Sequence, residues 1–197
     1  MNDSPAQLRN HYRQLRLSLD AETQAEHARL LQHRIERLLR YSRPKRIAAY
    51  LACNGEISLD LWLQNPGRHQ AWLPMLYESV EPRLRFAPLR PGLRWKRNRY
   101  GIIEPDVDWG ETRDPRNLDI LLMPLLAFDR QGNRLGMGGG FYDRSLAFRR
   151  SRRHWMRPRL IGVAHAIQEH PSLPRQPWDV PLDAILTERE LILPRIT

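Results

Sequence analysis

Leu8, Tyr12, Leu15 and Leu19 recur at the three- and four-residue spacing of a helix, with Arg9, Arg13 and Arg16 on an adjacent face. Asp20 stands where a helix cap belongs, and Ala25, Ala28, Leu31, Ile35 and Leu38 then give a second helix one apolar face. Ser42-Arg43-Pro44 ends it. Ile47 to Leu51 is an apolar run of strand length, closed by the turn signal Asn54-Gly55. Leu59, Leu61, Trp62 and Leu63 predict a short helix stopped by Pro66-Gly67, and Trp72 to Leu76 and Leu84 to Ala87 predict two further strands. From Pro88 to Asn117 the chain is rich in Pro, Gly and charge and reads as long functional loops. Ile120 to Met123, Leu160 to Ala164 and Ala184 to Leu186 are unbroken apolar runs, the pattern of strands buried on both faces of a parallel sheet. Strands alternating with helices predict an α/β fold: a single layered domain over residues 1–197, with a mostly parallel sheet flanked by helices. In such sheets ligands gather beyond the carboxyl ends of the strands.

With 41% hydrophobic and 27% charged residues, the composition is that of a folded globular domain. No apolar stretch approaches the ~20 residues of a membrane span, and the polar N-terminus lacks the apolar core of a secretory signal. One cysteine, Cys53, excludes an internal disulfide and a cysteine metal cluster, so a reducing cytoplasm is the expected compartment. The net charge of +10 implies an anionic partner. All the basic side chains but Lys45 and Lys96 are arginine, whose planar fork suits phosphate and carboxylate. Zinc-finger, RRM and basic-heptad patterns are missing, so binding to nucleic acid rests on charge alone.

Charge matters most beside one loop. Four of the chain's eleven glycines, Gly136, Gly138, Gly139 and Gly140, follow a long apolar run and precede a segment able to start a helix. Without Cβ atoms, their N–H groups can approach a phosphate closely, and a helix N-terminus beyond them would face the same anion. The alternative is a tight turn with no ligand. Neither the P-loop spacing nor the dinucleotide fingerprint occurs here. Arg134 and Asp143 bracket the loop with a cation and a carboxylate. Glu56, after the Asn54-Gly55 turn, is placed to face the ligand edge, and Asp179 and Asp183 flank a proline just before the last strand. Magnesium is usually held by one or two carboxylates plus substrate phosphates, which Asp143 with Asp179 would satisfy. Asp183 reads instead as a residue that orders a turn. The seven histidines are scattered, His165 reads as a strand-end residue, and Cys53 reads as a small buried side chain rather than a nucleophile. Seven arginines between Arg144 and Arg159 form either a solvated basic surface or an electrostatic funnel.

The string Met-Pro-Leu-Leu-Ala-Phe-Asp-Arg-Gln-Gly-Asn-Arg-Leu-Gly-Met-Gly-Gly-Gly-Phe-Tyr-Asp at 123–143 resembles the signature of the 5-formyltetrahydrofolate cyclo-ligase family, also called methenyltetrahydrofolate synthetases. Arg9 and Arg13, Glu56, Tyr100-Gly-Ile-Ile-Glu-Pro105 and Trp178-Asp179-Val-Pro-Leu-Asp183 extend the likeness over nearly the whole chain. The resemblance implies ATP-dependent, magnesium-requiring cyclisation of 5-formyltetrahydrofolate to 5,10-methenyltetrahydrofolate, with ADP and phosphate released and a phosphorylated formyl group as intermediate. It implies that ATP meets Arg9, Arg13 and the loop of Arg134, Leu135, Gly136, Met137, Gly138, Gly139, Gly140, Phe141 and Tyr142. It implies that Glu56 and residues Met137 to Phe141 bind the folate, that Asp143 and Asp179 hold Mg²⁺, and that Arg134 and Asp143 are catalytic. Tyr100 and Phe141 stack on the pterin or close the core. Many relatives carry a basic residue at Met137 and often at Gly139, and a lysine at Arg9, so another cation, Arg134 or Arg144, is expected to supply that charge. Folates carry polyglutamate tails, for which a basic rim has an attraction screened by salt. A monomer is the expected working form.

Overall fold

The computed structural model describes residues 4–151 and 157–194. Helix α1 (Pro5–Leu17) starts at Ser4, whose hydroxyl accepts from Gln7 N while the Gln7 side chain accepts from Ser4 N, a capping box reinforced by Pro5 at the first helical position. Its buried face is Leu8, Tyr12 and Arg16. Helix α2 (Ala21–Leu39) is capped by Asp20 as its sequence predicts, with Thr23 N donating to Oδ1 at 2.7 Å. It buries Ala28, Leu31, Ile35 and Leu39, while Ala25 is exposed, so the apolar stripe begins one turn later than the spacing suggests.

The strands are β1 (Arg46–Ala48), β2 (Gln70–Tyr77) and β3 (Arg83–Pro88), with the short helix α3 (Asp60–Gln64) between the first two. The segment 88–117 is not only loop. It contains a hairpin, β4 (Trp95–Arg97) with β5 (Ile103–Pro105), and two single 3₁₀ turns. All three β4 side chains are exposed, so the alternation that marks a half-buried strand is missing there. Then come β6 (Ile120–Pro124), a second small hairpin of β7 (Ala127–Phe128) and β8 (Arg134–Leu135), helix α4 (Phe141–Leu146), β9 (Arg159–Val163), β10 (Ala184–Leu186) and β11 (Leu191–Ile192).

A seven-stranded sheet has the order β11-β10-β9-β6-β1-β2-β3. The five inner strands pair in parallel and the two edges antiparallel, which makes the fold the α/β class with the mostly parallel sheet that the apolar runs predict. Alternate residues feed two core layers. Ile47, Leu122 and Ile161 face Leu31, Ile35 and Trp62 on the side of α2 and α3, whereas Ala48, Leu121 and Leu160 face Phe86, Phe128 and Leu146 on the other. Helix α1 caps a third cluster, in which Leu8 and Tyr12 cover Leu126, Ala127 and Leu135 of the β7–β8 hairpin.

Chain order places the site. From β1 the chain steps to β2 on one side, and later returns to β6 on the other side of β1. Strand order therefore reverses between β1 and β6, and ligands of doubly wound sheets bind in the crevice outside such a reversal. Among the described residues no helix is long and apolar enough to cross a membrane.

Candidate active site

The exit of β1 is shaped by a tight turn. Asn54 and Gly55 both have positive φ, 50° and 75°, and Glu56 N donates to Cys53 O at 3.0 Å. That is the conformation for which Asn-Gly is the preferred pair. The turn sends the Glu56 side chain back over itself, so that Cys53 N donates to Oε2 at 3.1 Å. The carboxylate is only 10% exposed, and Arg16 Nη1 stands 3.7 Å from Oε1. Burial raises the Glu56 pKa, against the Cys53 N–H and the Arg16 charge, which lower it.

Cys53 is exposed, contrary to the buried position its sequence context predicts. Partial burial of the thiol and the neighbouring Glu56 carboxylate nevertheless push its pKa up to about 11. A thiol so disfavoured as thiolate is a poor nucleophile.

The glycine loop lies beyond the other strand. It does not follow β6 directly: the β7–β8 hairpin intervenes, its turn ordered by the buried Asp129, which accepts from Gln131 N, Asn133 N, Asn133 Nδ2 and Leu173 N. Arg134 donates to Val180 O and to the Asp143 carboxylate, closing the loop at its base. Helix α4 begins at Phe141 as expected, but it has six residues, too few to add much dipole to the loop's own N–H groups. Gly140 is left-handed with φ 63°, and a Cβ there would stand 2.8 Å from Arg144 Nη1. Arg144 itself donates to Gly139 O and to Pro82 O, both at 2.8 Å, and lies over the Phe141 ring. From the opposite wall Arg9 Nε donates to Gly136 O at 3.0 Å and passes beside Gly138.

These pieces enclose a cleft of about 900 Å³ lined by Arg9, Glu56, every residue from Arg134 to Asp143, and Asp179. Of the residues to which the resemblance assigns ATP, folate or Mg²⁺, Arg13 stands outside the lining and the others line it. Asp143 and Asp179 bring two hard carboxylates to one cleft, the donor set that suits Mg²⁺ when substrate phosphates complete it. Asp179 Oδ2 meanwhile accepts from Gln176 N at 2.8 Å. Asp183 lies outside the cleft lining and, instead of ordering a local turn, ties distant segments together: it accepts from Leu160 N in β9 and from Arg149. Tyr100 and Phe141 meet edge to face at 5.5 Å across the mouth, Tyr100 coming from the β4–β5 hairpin. Of the two cations expected to replace the charge missing at Met137 and Gly139, Arg134 lines the cleft and Arg144 does not.

Other lining residues carry weaker sequence signals. Trp178 and Gln176 reach the cleft from the segment before β10, and buried Glu104 fastens the β4–β5 hairpin by accepting from Leu76 N and Asn98 Nδ2. Arg16 is the largest surprise, 1% exposed although expected on the basic face of α1. Its spacing was the clue, since residues 8, 12 and 16 share one helical stripe.

At the end of β9, His165 is buried as a strand-end residue, with Nδ1 2.8 Å from His27 Nδ1 and Nε2 3.2 Å from Gly55 O. Together with Glu188 these histidines have metal-ligand chemistry. The two ring centroids are 5.0 Å apart, so both facing nitrogens lie near the line joining the rings. A metal held on that line needs the nitrogens roughly 4 Å apart, so the pair is a hydrogen bond. A carbonyl can only accept, which puts the His165 proton on Nε2 and makes His27 the donor to Nδ1.

The model of the 5-formyltetrahydrofolate cyclo-ligase family matches residues 2–188. A 5-formyltetrahydrofolate cyclo-ligase of Haemophilus influenzae is 39% identical over 189 residues, covering 91% of this chain and 95% of that one. One from Escherichia coli K12 is 35% identical over 145 residues, covering 72% and 76%. Among solved structures, the Aquifex aeolicus 5,10-methenyltetrahydrofolate synthetase superposes with a TM-score of 0.80 at 27% identity, covering 98% of this chain and 94% of that one.

Proposed function

The chain belongs to the 5-formyltetrahydrofolate cyclo-ligase family, and we propose that it closes 5-formyltetrahydrofolate to 5,10-methenyltetrahydrofolate at the expense of ATP. One observation carries the reading. Glu56, the glycine loop with Asp143, and Asp179 come from three distant segments and line a single cleft at the strand-order reversal.

An amide-like formyl oxygen is a poor leaving group, which is the problem the reaction has to solve. In the proposed course the formyl oxygen attacks the γ-phosphorus, the bond from that phosphorus to the bridging oxygen breaks, and its electron pair leaves with ADP. N10 then attacks the activated formyl carbon, gives up its proton, and the carbon–oxygen bond breaks with phosphate departing. Phosphoryl transfer of this kind is catalysed mainly by positioning and charge stabilisation.

Each residue has a part suited to its place. Glu56 accepts from the pterin's N–H groups, with Met137 to Phe141 forming the folate side of the cleft and Tyr100 and Phe141 flanking the ring. Backbone donors from Leu135 to Tyr142 cradle the triphosphate. Arg9, which touches the loop at Gly136, adds a cation from the opposite wall, Arg134 supplies the charge missing at Met137 and Gly139, and Arg13, one turn along α1, attracts ATP from outside the cleft. Arg134 fixes the loop and Asp143 together. Asp143 and Asp179 would hold Mg²⁺, whose charge would neutralise the phosphate oxygens. The single thiol, Cys53, suits a reducing cytoplasm.

The direct test follows the near-ultraviolet absorbance of the methenyl product with 5-formyltetrahydrofolate, ATP and Mg²⁺. Product that depends on all three is expected. No product, or product without ATP, overturns the proposal.

A further inference from the structure

Arg16 breaks the rule that buried positions of an amphipathic helix are apolar. It occupies the third position of the Leu8–Tyr12 stripe and is 1% exposed. Its Nε donates to Asn54 O at 2.9 Å, Nη1 lies 3.5 Å from Leu125 O and 3.7 Å from Glu56 Oε1, and Nη2 is buried with no partner. One guanidinium thus joins α1 to the turn after β1 and to the chain leaving β6, the two sides of the strand-order reversal. Arg16 itself does not line the cleft, whereas Glu56 does.

The arrangement is a poor way to gain stability. Burial disfavours the charged guanidinium and lowers the Arg16 pKa, the pair with Glu56 is longer than a good ionic hydrogen bond, and one donor is stranded. A leucine or methionine would fill the same stripe without those costs. What an apolar side chain cannot supply is a fixed positive charge behind a carboxylate whose other close neighbours, the Tyr50 and Tyr142 phenols and the Cys53 thiol, offer none.

We infer that Arg16 is a positioning residue for folate: from behind the cleft it holds the Asn54-Gly55 turn and, with its positive charge beside Oε1, keeps the Glu56 carboxylate aimed at the pterin. This rests on the reading of Glu56 as the pterin acceptor. Arg16 touches neither substrate, so its effect passes entirely through Glu56. His165 secures the next carbonyl of the same turn, that of Gly55, so the turn is gripped on two successive peptide groups.

The test compares Arg16→Met, Arg16→Lys and Glu56→Gln by steady-state kinetics over a pH series, with thermal unfolding as a control. Arg16→Met is expected to raise KM for 5-formyltetrahydrofolate on the order of tenfold or more and to leave KM for ATP within about twofold. The acid limb of kcat/KM for the folate should move up by about one pH unit, the size of effect a close opposite charge has on a carboxyl group. Arg16→Lys should recover most of the limb position. Where Arg16→Met does not fold, Arg16→Lys decides, since a shorter reach to Oε1 should still raise the folate KM selectively. Both KM values moving together with a lower Tm and an unmoved limb would show a purely structural role and overturn the inference. An unchanged folate KM in Glu56→Gln instead removes the Glu56 reading, and the inference with it. An effect in Glu56→Gln with none in either Arg16 variant removes the inference alone.

Discussion

Arg134 and Asp143, nine residues apart, are joined by an ion pair that closes the glycine loop at its base, and Arg134 also donates to the carbonyl of Val180. The arginine side chain is 7% exposed and the aspartate 30%, so the pair sits at the boundary between core and cleft. Removing either partner leaves the other poorly compensated and frees the loop. Arg134→Ala and Asp143→Asn are each expected to lower kcat by roughly 10²–10³, the cost of losing one preorganised charged group. Because they act as a unit, the double variant should be little worse than the worse single. Extra Mg²⁺ should recover little activity in Asp143→Asn. Near-normal kcat in both Arg134→Ala and Arg144→Ala would sink the assignment of loop cations.

Gly140 tests the loop's backbone rather than its charges. Its φ of 63° and the Arg144 guanidinium 2.8 Å from an added Cβ both oppose a side chain. Gly140→Ala should cost about 1–2 kcal/mol of stability from the left-handed strain. It should also raise KM for ATP as Arg144 lets go of Gly139 O. Urea unfolding and ATP saturation curves measure the two effects separately. Unchanged values for both would mean that the loop tolerates rearrangement and does not cradle phosphate.

The inner strands and the cleft were legible in the chain for different reasons. Runs such as Ile120 to Met123 announce strands buried on two faces because no residue in them can meet water. The Asn54-Gly55 turn is equally direct, since few pairs adopt two successive positive φ values. By contrast, every β4 side chain is exposed, and the hairpin is fastened by Glu104 of β5 reaching Leu76 of β2, a distant partner that local pattern could not reveal. Part of the 123–143 signature proves to be architecture: Asp129 and Asn133 order a turn, and only the stretch from Pro124 and Leu125, and then from Arg134 onward, reaches the cleft. Arg16 was misplaced because charge suggested a solvated face, while its helical position dictated burial.

Cys53 lines the cleft beside Glu56, where a nucleophile would be expected if the chemistry used one. Its pKa of about 11 leaves on the order of a thousandth of it as thiolate at pH 8. Alkylation by iodoacetamide should therefore be slow at neutral pH and accelerate with each pH unit up to about 11. Cys53→Ser should keep kcat within about threefold. Rapid labelling at pH 7, or a loss of 100-fold in kcat, would restore a covalent role.

The basic stretch from Arg144 to Arg159 is less of a funnel than its composition suggests. Arg144 and Arg149 are committed to internal partners, and Arg152, Arg153, His154 and Trp155 lie outside the described residues. Arg150, which donates to the carbonyl of cleft-lining Trp178, keeps the idea alive. Polyglutamylated 5-formyltetrahydrofolate should then show a lower KM than the monoglutamate at low salt. The gap should close as the screening length falls from ~10 Å at 0.1 M to ~3 Å at 1 M. Equal KM values for both forms at every salt concentration would dismiss the attraction.

His165 ties catalytic geometry to acid stability. Burial and the neighbouring His27 lower its pKa from 6.5 to about 4, so the fold holds it neutral, donating to Gly55 O and accepting from His27. As pH falls below the unfolded value, the unfolded chain takes up the proton first, and the balance shifts toward unfolding. The contribution is fully present above about 6.5 and is lost progressively as pH falls toward 4, up to about 3 kcal/mol in all. Urea unfolding at pH 7 and pH 5 should show wild-type protein losing roughly 2 kcal/mol from this group. His165→Gln, which cannot be protonated, should lack that part of the loss, though it starts less stable. Since Gly55 belongs to the turn that aims Glu56, the variant should also raise KM for the folate more than for ATP. Identical pH dependence in the two proteins would mean that His165 is not the group that charges on unfolding.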